Sequence, residues 1–303
     1  MSAGVKVFLV GFWPDYEDFF FSNLFIKGFQ FEVVNPLVVV ERNVFSKNLP
    51  RYFKNKIFRK IITDLIKENP SSIFIFQEHR LILELLLESD SISNANILLR
   101  NSIRSNPKTI KLINGLKKNN YLVWSFDELD CDQFKLNHYK QMIRGYPDFS
   151  LTPIAHDFSF VGRDKGREEY LKSLKSSFED NDLTMKINIR KNNKRDSICY
   201  EEYLTQICQA RCVVDIAQKQ QVGLSLRPLE AMMYKRKLIT NNINVKKYSF
   251  YHPNNVYVVG DIYDVDDISD FMEKPYVDVP ENIKEEYSVE KVIEQILSFD
   301  SAR

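Results

Sequence analysis

The sequence predicts an α/β protein made of two domains of parallel strands that face each other across a cleft. Three observations carry this. Short apolar runs alternate with amphipathic helical stretches along the chain, a pattern that pairs strands in parallel and puts ligands at their carboxyl ends. The alternation lapses once, in a loop-like segment near the middle, and then restarts. The 303 residues also exceed a typical single domain of roughly 100 to 200 residues, leaving enough chain for two cores.

Taken in order, Val5 to Val10 is an apolar run stopped by Gly11 and reads as the first strand, while Glu17 to Lys27 has helical spacing. "FQFEVVN" is a second strand. "SIFIFQEHR", Ser72 to Arg80, is a third and leads into the helical "LILELLLE". "ANILLRNS" is a fourth strand, "TIKLINGLKKNN" a helix, and "YLVWSFDELD" a fifth strand with its loop. Ile143 to Asp157, "IRGYPDFSLTPIAHD", carries two prolines and a glycine and reads as the linker. Beyond it "FSFVGRD" is a strand ending in a phosphate-style loop and "GREEYLKSLKSSFED" a helix. "LTMKINIRK" (strand), "YEEYLTQICQAR" (helix) and "CVVDIAQ" (strand) follow. "RKLITNN" and "NVYVVGD" are further strands, and "SVEKVIEQILSF" is the closing helix. The division expected is 1–150 and 151–303, with the closing helix able to pack back on the first domain.

Lys and Arg number 42 against 41 Asp and Glu, so no global charge draws the chain to nucleic acid, and none is expected as a partner. The four cysteines, Cys131, Cys199, Cys208 and Cys212, include no CxxC and fit a reducing cytoplasm. Cys208 and Cys212 are spaced as one helical turn; with His156 and His252 remote, they read as packing, and no metal is expected. The opening "MSAGVKVFLVGFW" lacks a basic n-region and a cleavage site, and no segment reaches transmembrane length, so the expected location is cytoplasmic.

The chemistry concentrates in the later half. In "QQVGLSLRPLEAMMYKRKLITNN", Gln220 to Asn242, a turn containing Gly223 and Ser225 runs through Leu226 and Arg227 into a helix carrying Glu230. Free N–H groups at a helix start favour an anion. Upstream, "FVGRDKGREEYL" sets Gly162, Arg163, Lys165 and Arg167 behind a strand. Each piece also has a plain reading: a connecting turn, a carboxylate complementing the helix dipole, a solvated basic loop.

Together, and in this order, the two stretches resemble the donor domain of GT-B glycosyltransferases. Gly223, Leu226, Pro228, Leu229, Glu230, Ala231 and Met232 match the Gly-x-Gly-Leu-x-x-Leu-Glu-Ala-Met signature, with Ser225 in place of its second glycine. The resemblance implies two Rossmann-like domains and a nucleotide-sugar co-substrate. It places Glu230 on the ribose hydroxyls, and Arg163, Lys165 and Arg167, joined by Arg227 and amides near Ser225 and Leu226, on the diphosphate. It implies no obligate metal, because these cations can stabilise the leaving group themselves. Val222 stands where many retaining members carry a second glutamate, so their mechanism does not transfer. The style of the motif is similar to bacterial lipopolysaccharide, capsule and other surface-polysaccharide enzymes.

The N-terminal half should bind the acceptor, a saccharide or lipid-linked saccharide, and supply a general base. Asp15, in "GFWPDYEDFF" beside Trp13 and Tyr16, is the first candidate; a turn or helix-cap role is its alternative, and Asp18 stands in reserve. Glu78, with His79, closes the third strand and is the second, while Arg100 and Asn101 close the fourth. Asp127, Glu128 and Asp130 read as a solvated acidic turn. "SKNLPRYFKNKIFRKII" interleaves Lys47, Arg51, Lys54, Lys56, Arg59 and Lys60 with Phe53, Ile57, Phe58, Ile61 and Ile62. Either it is a peripheral contact with an anionic membrane at the inner face, through Lys47–Ile62, or its apolar face packs in the core. The function expected is a metal-independent hexosyltransferase of surface-glycan synthesis. Two alternatives stand beside it, a sugar-nucleotide epimerase and a non-catalytic nucleotide-sugar-binding subunit of an assembly complex.

Overall fold

Two sheets form in the computed structural model, which describes residues 4–12, 15–42, 49–89, 92, 94–145, 149–190, 198–217, 221–260 and 265–300. All strand pairings within the two sheets are parallel. The chain divides into two units, Met1–Lys140 with Val289–Arg303, and Gln141–Ser288.

The first unit runs β1 (Val5–Val10), α1 (Asp15–Phe21), β2 (Phe29–Val34), α2 (Pro36–Arg42), α3 (Arg51–Glu68), β3 (Ile73–Gln77), α4 (Arg80–Glu88), β4 (Ala95–Leu99), α5 (Pro107–Lys118), β5 (Leu122–Ser125), α6 (Glu128–Phe134) and β6 (Asn137–His138). Its sheet order is β2-β1-β3-β4-β5-β6. "ANILL" in β4 is buried at every position, which suits a sheet covered on both faces. Phe8, Phe74 and Phe76 stack across β1 and β3, with centroids 5.3 and 5.8 Å apart. Local signals set the helix ends: Asn106 accepts from the Thr109 amide at 3.2 Å, Pro107 opens α5, and Lys117 and Lys118 lie in its last turn.

The second unit runs β7 (His156–Arg163), α7 (Glu168–Glu179), β8 (Met185–Arg190), α8 (Tyr200–Cys208), β9 (Ala210–Asp215), α9 (Leu226–Met233), β10 (Lys237–Thr240), β11 (Val256–Val258), α10 (Val265–Glu273) and α11 (Glu281–Glu285). The last helix, α12 (Val289–Asp300), belongs to the first unit: Phe299 packs edge-on to Trp124 at 5.2 Å, and the Gln295 amide donates to the His138 carbonyl. The second sheet's order is β11-β10-β9-β7-β8. In each unit the first strand lies between the second and third, so successive crossovers leave it in opposite directions. That reversal opens a crevice at the carboxyl ends of β1 and β3, and another at β7 and β9.

The structure corrects several readings. The acidic turn is not solvated: Asp127 and Asp130 are buried around Arg104, whose Nη1 lies 2.5 Å from Asp127 Oδ1 and 2.8 Å from Asp130 Oδ1. Asp127 also caps α6, accepting from the Asp130 amide. Cys208 and Cys212 do not share a helix, since one ends α8 and the other lies in β9; both are buried and free. The start of the expected linker is packed, with Ile143 buried and bridged to Ser288, whereas 146–148 lie outside the described residues. The first helix ends at Phe21. In α3, Phe58 and Ile62 are buried and Ile57 and Ile61 pack against the same core. Arg59 meets Glu84 and Glu88, and Lys60 meets Asp64. Only Tyr52 and Phe53 of its large apolar side chains are exposed, and Lys47 lies outside the described residues. Among the described residues no helix is long and apolar enough to cross a membrane.

Candidate functional site

The crevice of the second unit collects the cations. β7 ends at Gly162 and Arg163, and the chain then turns through Lys165 and Gly166, at φ 49° and 79°. A left-handed lysine costs about 1 kcal/mol, offset here by Asp164, whose Oδ1 accepts from the amides of Arg167 (3.0 Å) and Glu168 (2.8 Å). Arg167 turns back over the strand end. Its Nε and Nη2 donate to the Arg163 carbonyl and its Nη1 to that of Ile216.

Arg227, in the first turn of α9, reaches the same place from the other side. Its Nη2 donates to the Val161 carbonyl at 2.7 Å, and its Nη1 lies 3.2 Å from Asp215 Oδ1. Asp215 closes β9 and also accepts the Ser225 hydroxyl at 2.9 Å. Ser225 occupies the N-cap of α9 yet makes no side-chain bond to the helix amides. A methyl at Gly162 would overlap the Arg227 guanidinium and push it aside, so the glycine lets Arg227 lie close over the strand end.

The charges are unbalanced. Desolvation, then the neighbouring Arg227, lowers Arg167 to about 10. Lys165, exposed by area, is lowered by its crowded surroundings and by Arg167, Arg227 and Arg163. Burial also pulls Arg227 down, but Tyr203, Asp215 and Glu230 outweigh it, so it stays firmly protonated. Cations held together against their own repulsion are a receptor for an anion.

Glu230 sits one turn along α9, 1 % exposed. Tyr200 donates to its Oε1 at 3.0 Å and Tyr203 to its Oε2 at 2.5 Å, both from α8. Burial raises it to about 7, against the hydrogen bonds and Arg227 that favour the carboxylate. Its ordinary value is 4.5, so the stability it contributes is full below pH 4.5, is lost as pH rises to 7, and is flat above that. Glu230→Gln should remove that slope, worth about 3 kcal/mol. Urea unfolding from pH 5 to 8 checks this; parallel pH profiles for the two proteins would refute the assignment.

Gly162, Arg163, Lys165, Arg167, Ser225, Arg227 and Glu230 thus form one neighbourhood. Gly223 is buried in the turn before α9, its carbonyl accepting from Gln221, and Leu226 is the first helical residue. The Val222 carbonyl accepts from Asn242. Phe160, Asp215, Tyr200 and Tyr203 are additions to this set. Asp215 was legible as the acidic end of an apolar run, and Tyr200 and Tyr203 as a pair three apart on one helix face.

In the first unit's crevice, Glu78 accepts from the Arg100 amide at 2.7 Å and from Asn101 Nδ2 at 2.8 Å, and burial raises its pKa. Arg100 is buried against Glu17, at 2.7 Å from Nε, and donates to Tyr139. Glu17 was missed: nothing in an amphipathic stretch marks a carboxylate that turns inward. His79 packs on Phe58 at the start of α4. Asp15 is the first residue of α1, but its side chain, with Trp13, lies outside the described residues, and Asp18 is exposed.

No protein-family model and no curated protein matches the chain. Solved structures do. A glycosyltransferase from Rickettsia africae is similar at 11% identity and TM-score 0.54, covering 99% of this chain and 98% of that one. AviGT4, a glycosyltransferase involved in avilamycin A biosynthesis, is similar at 10% identity and TM-score 0.50, with 99% of each covered. The UDP-GlcNAc 2-epimerase of Methanocaldococcus jannaschii, in complex with UDP-GlcNAc and UDP, is similar at 11% identity and TM-score 0.51, covering 98% and 99%. At these identities the likeness is one of fold: the chain has two Rossmann-like domains, as GT-B glycosyltransferases and this epimerase do.

Proposed function

We propose that the protein is a glycosyltransferase that moves a sugar from a nucleotide-sugar donor to a saccharide or lipid-linked saccharide acceptor, of the kind that builds bacterial surface glycans. One observation carries the reading: Arg167, Arg227, Lys165 and Arg163 crowd the strand ends beside Asp215, a cationic surplus suited to a diphosphate. As the glycosidic bond breaks, negative charge grows on the departing diphosphate, and the guanidinium groups stabilise it in place, without a metal ion. Binding of ribose by Glu230 then exchanges a tyrosine hydroxyl for a ribose hydroxyl. Glu78 is the proposed base for the acceptor hydroxyl.

A thermal-shift panel of UDP, GDP, CMP and dTDP sugars tests the reading. A donor at about 100 times its dissociation constant should stabilise the protein by about 2.7 kcal/mol. No shift with any of them would end the proposal. The epimerase likeness favours a second reading, in which no acceptor is needed. Incubation with the donor alone, followed by NMR, separates the two: an isomerised sugar nucleotide means epimerase.

A further inference from the structure

Arg167 and Arg227 come from separate segments, yet both guanidinium groups lie over one ring. Their Cζ atoms are 4.8 and 4.9 Å from the centroid of Phe160. That ring is fully buried in β7, among the core side chains of the second unit, so it is a fixed platform. Two residues along the strand, Gly162 marks where the groups converge. A methyl built there would overlap Arg227 and lie 3.3 Å from Phe160 Cζ and 3.4 Å from Arg167 Nη2. The remaining ties of the two arginines run mostly to main-chain oxygens, those of Val161, Arg163 and Ile216. Asp215 pairs with Arg227, whereas Arg167 makes no ion pair among the described residues.

We infer that Phe160 is a positioning residue of the anion site: its ring fixes the spacing of Arg167 and Arg227, so that the two present their N–H groups as a single clamp to one phosphate-bearing ligand. The negative face of an aromatic ring attracts a cation, and here one ring serves two, offsetting part of their mutual repulsion. A leucine of similar bulk would fill the core without that attraction, leaving the arginines free to separate until a ligand gathers them. The inference rests on the diphosphate reading.

The test uses inorganic pyrophosphate, titrated by calorimetry into the wild type, Phe160→Leu, Arg167→Ala and the double variant. Phe160→Leu should weaken binding by about 3- to 30-fold, and by clearly less once Arg167 is gone. A residue that only fills the core would lower thermal stability without that coupling. Should Phe160→Leu fail to fold, Phe160→Met, which keeps most of the bulk without the aromatic face, takes its place in the same cycle with the same expected loss and coupling. Unchanged affinity in the folded variants, or losses that simply add, would overturn the positioning role alone. A wild type that binds neither pyrophosphate nor any nucleotide sugar would overturn it together with the diphosphate reading.

Discussion

On the proposed function, Arg227→Ala should lower the affinity for a nucleoside diphosphate by about 100- to 1,000-fold, the expected cost of removing a largely buried cation from its contact with a charged ligand. The ligand loses a guanidinium donor, which sets the affinity change; Asp215 keeps only the Ser225 hydroxyl among the side-chain contacts described above and the Val161 carbonyl loses its partner, losses that lower stability instead. Arg227→Lys should recover only part of the affinity, because an ammonium cannot span Asp215 and Val161 in one plane. Calorimetry with the diphosphate measures both variants. An affinity within threefold of wild type for Arg227→Ala would remove the residue from the site.

Glu78→Gln should slow sugar transfer by about 100- to 10,000-fold while donor affinity stays put, the range for removing a general base. Burial raises the Glu78 pKa, so, if Glu78 is the base, wild-type turnover should climb with pH through a limb shifted upward from the ordinary glutamate value. The glutamine variant should lack that limb. Both Glu78 oxygens accept from N–H donors, and an amide can accept from only one of them, which costs about 1 to 3 kcal/mol of stability. Rates must therefore be compared well below the variant's unfolding temperature. If Asp15→Asn abolishes turnover and Glu78→Gln does not, the base is Asp15.

Much of this arrangement could be read from residue order. The apolar runs carried the parallel strands, because a strand buried on both faces needs no alternation, and the helices between them show 3.6-residue spacing. Arg163, Lys165 and Arg167 were legible as a basic loop because they follow a strand and a glycine closely, and their proposed role came from the resemblance of the two stretches taken together. What could not be read were long-range pairings. Asp127 and Asp130 look like a wet turn until Arg104, more than twenty residues upstream, closes on them. Glu230 looks like a helix-start carboxylate, yet α8 covers it with two hydroxyls. The short elements α2, α6, α11 and β6 also escaped, since they carry too few turns or pairs for a period to emerge, whereas α10, as long as α4, was overlooked although Ile268, Phe271 and Met272 are spaced on one helical face.

The placement of α12 has a consequence for biosynthesis. Val289, Val292, Ile293, Ile296 and Leu297 are buried, and the helix belongs to the unit formed by the first 140 residues. Chains usually mature from the amino terminus as they leave the ribosome, at roughly 5 to 20 residues per second. Here the order should be inverted: residues 141–288 hold all the segments of their unit before α12 is made, so the unit begun earlier should keep the apolar surface that α12 covers exposed for longer.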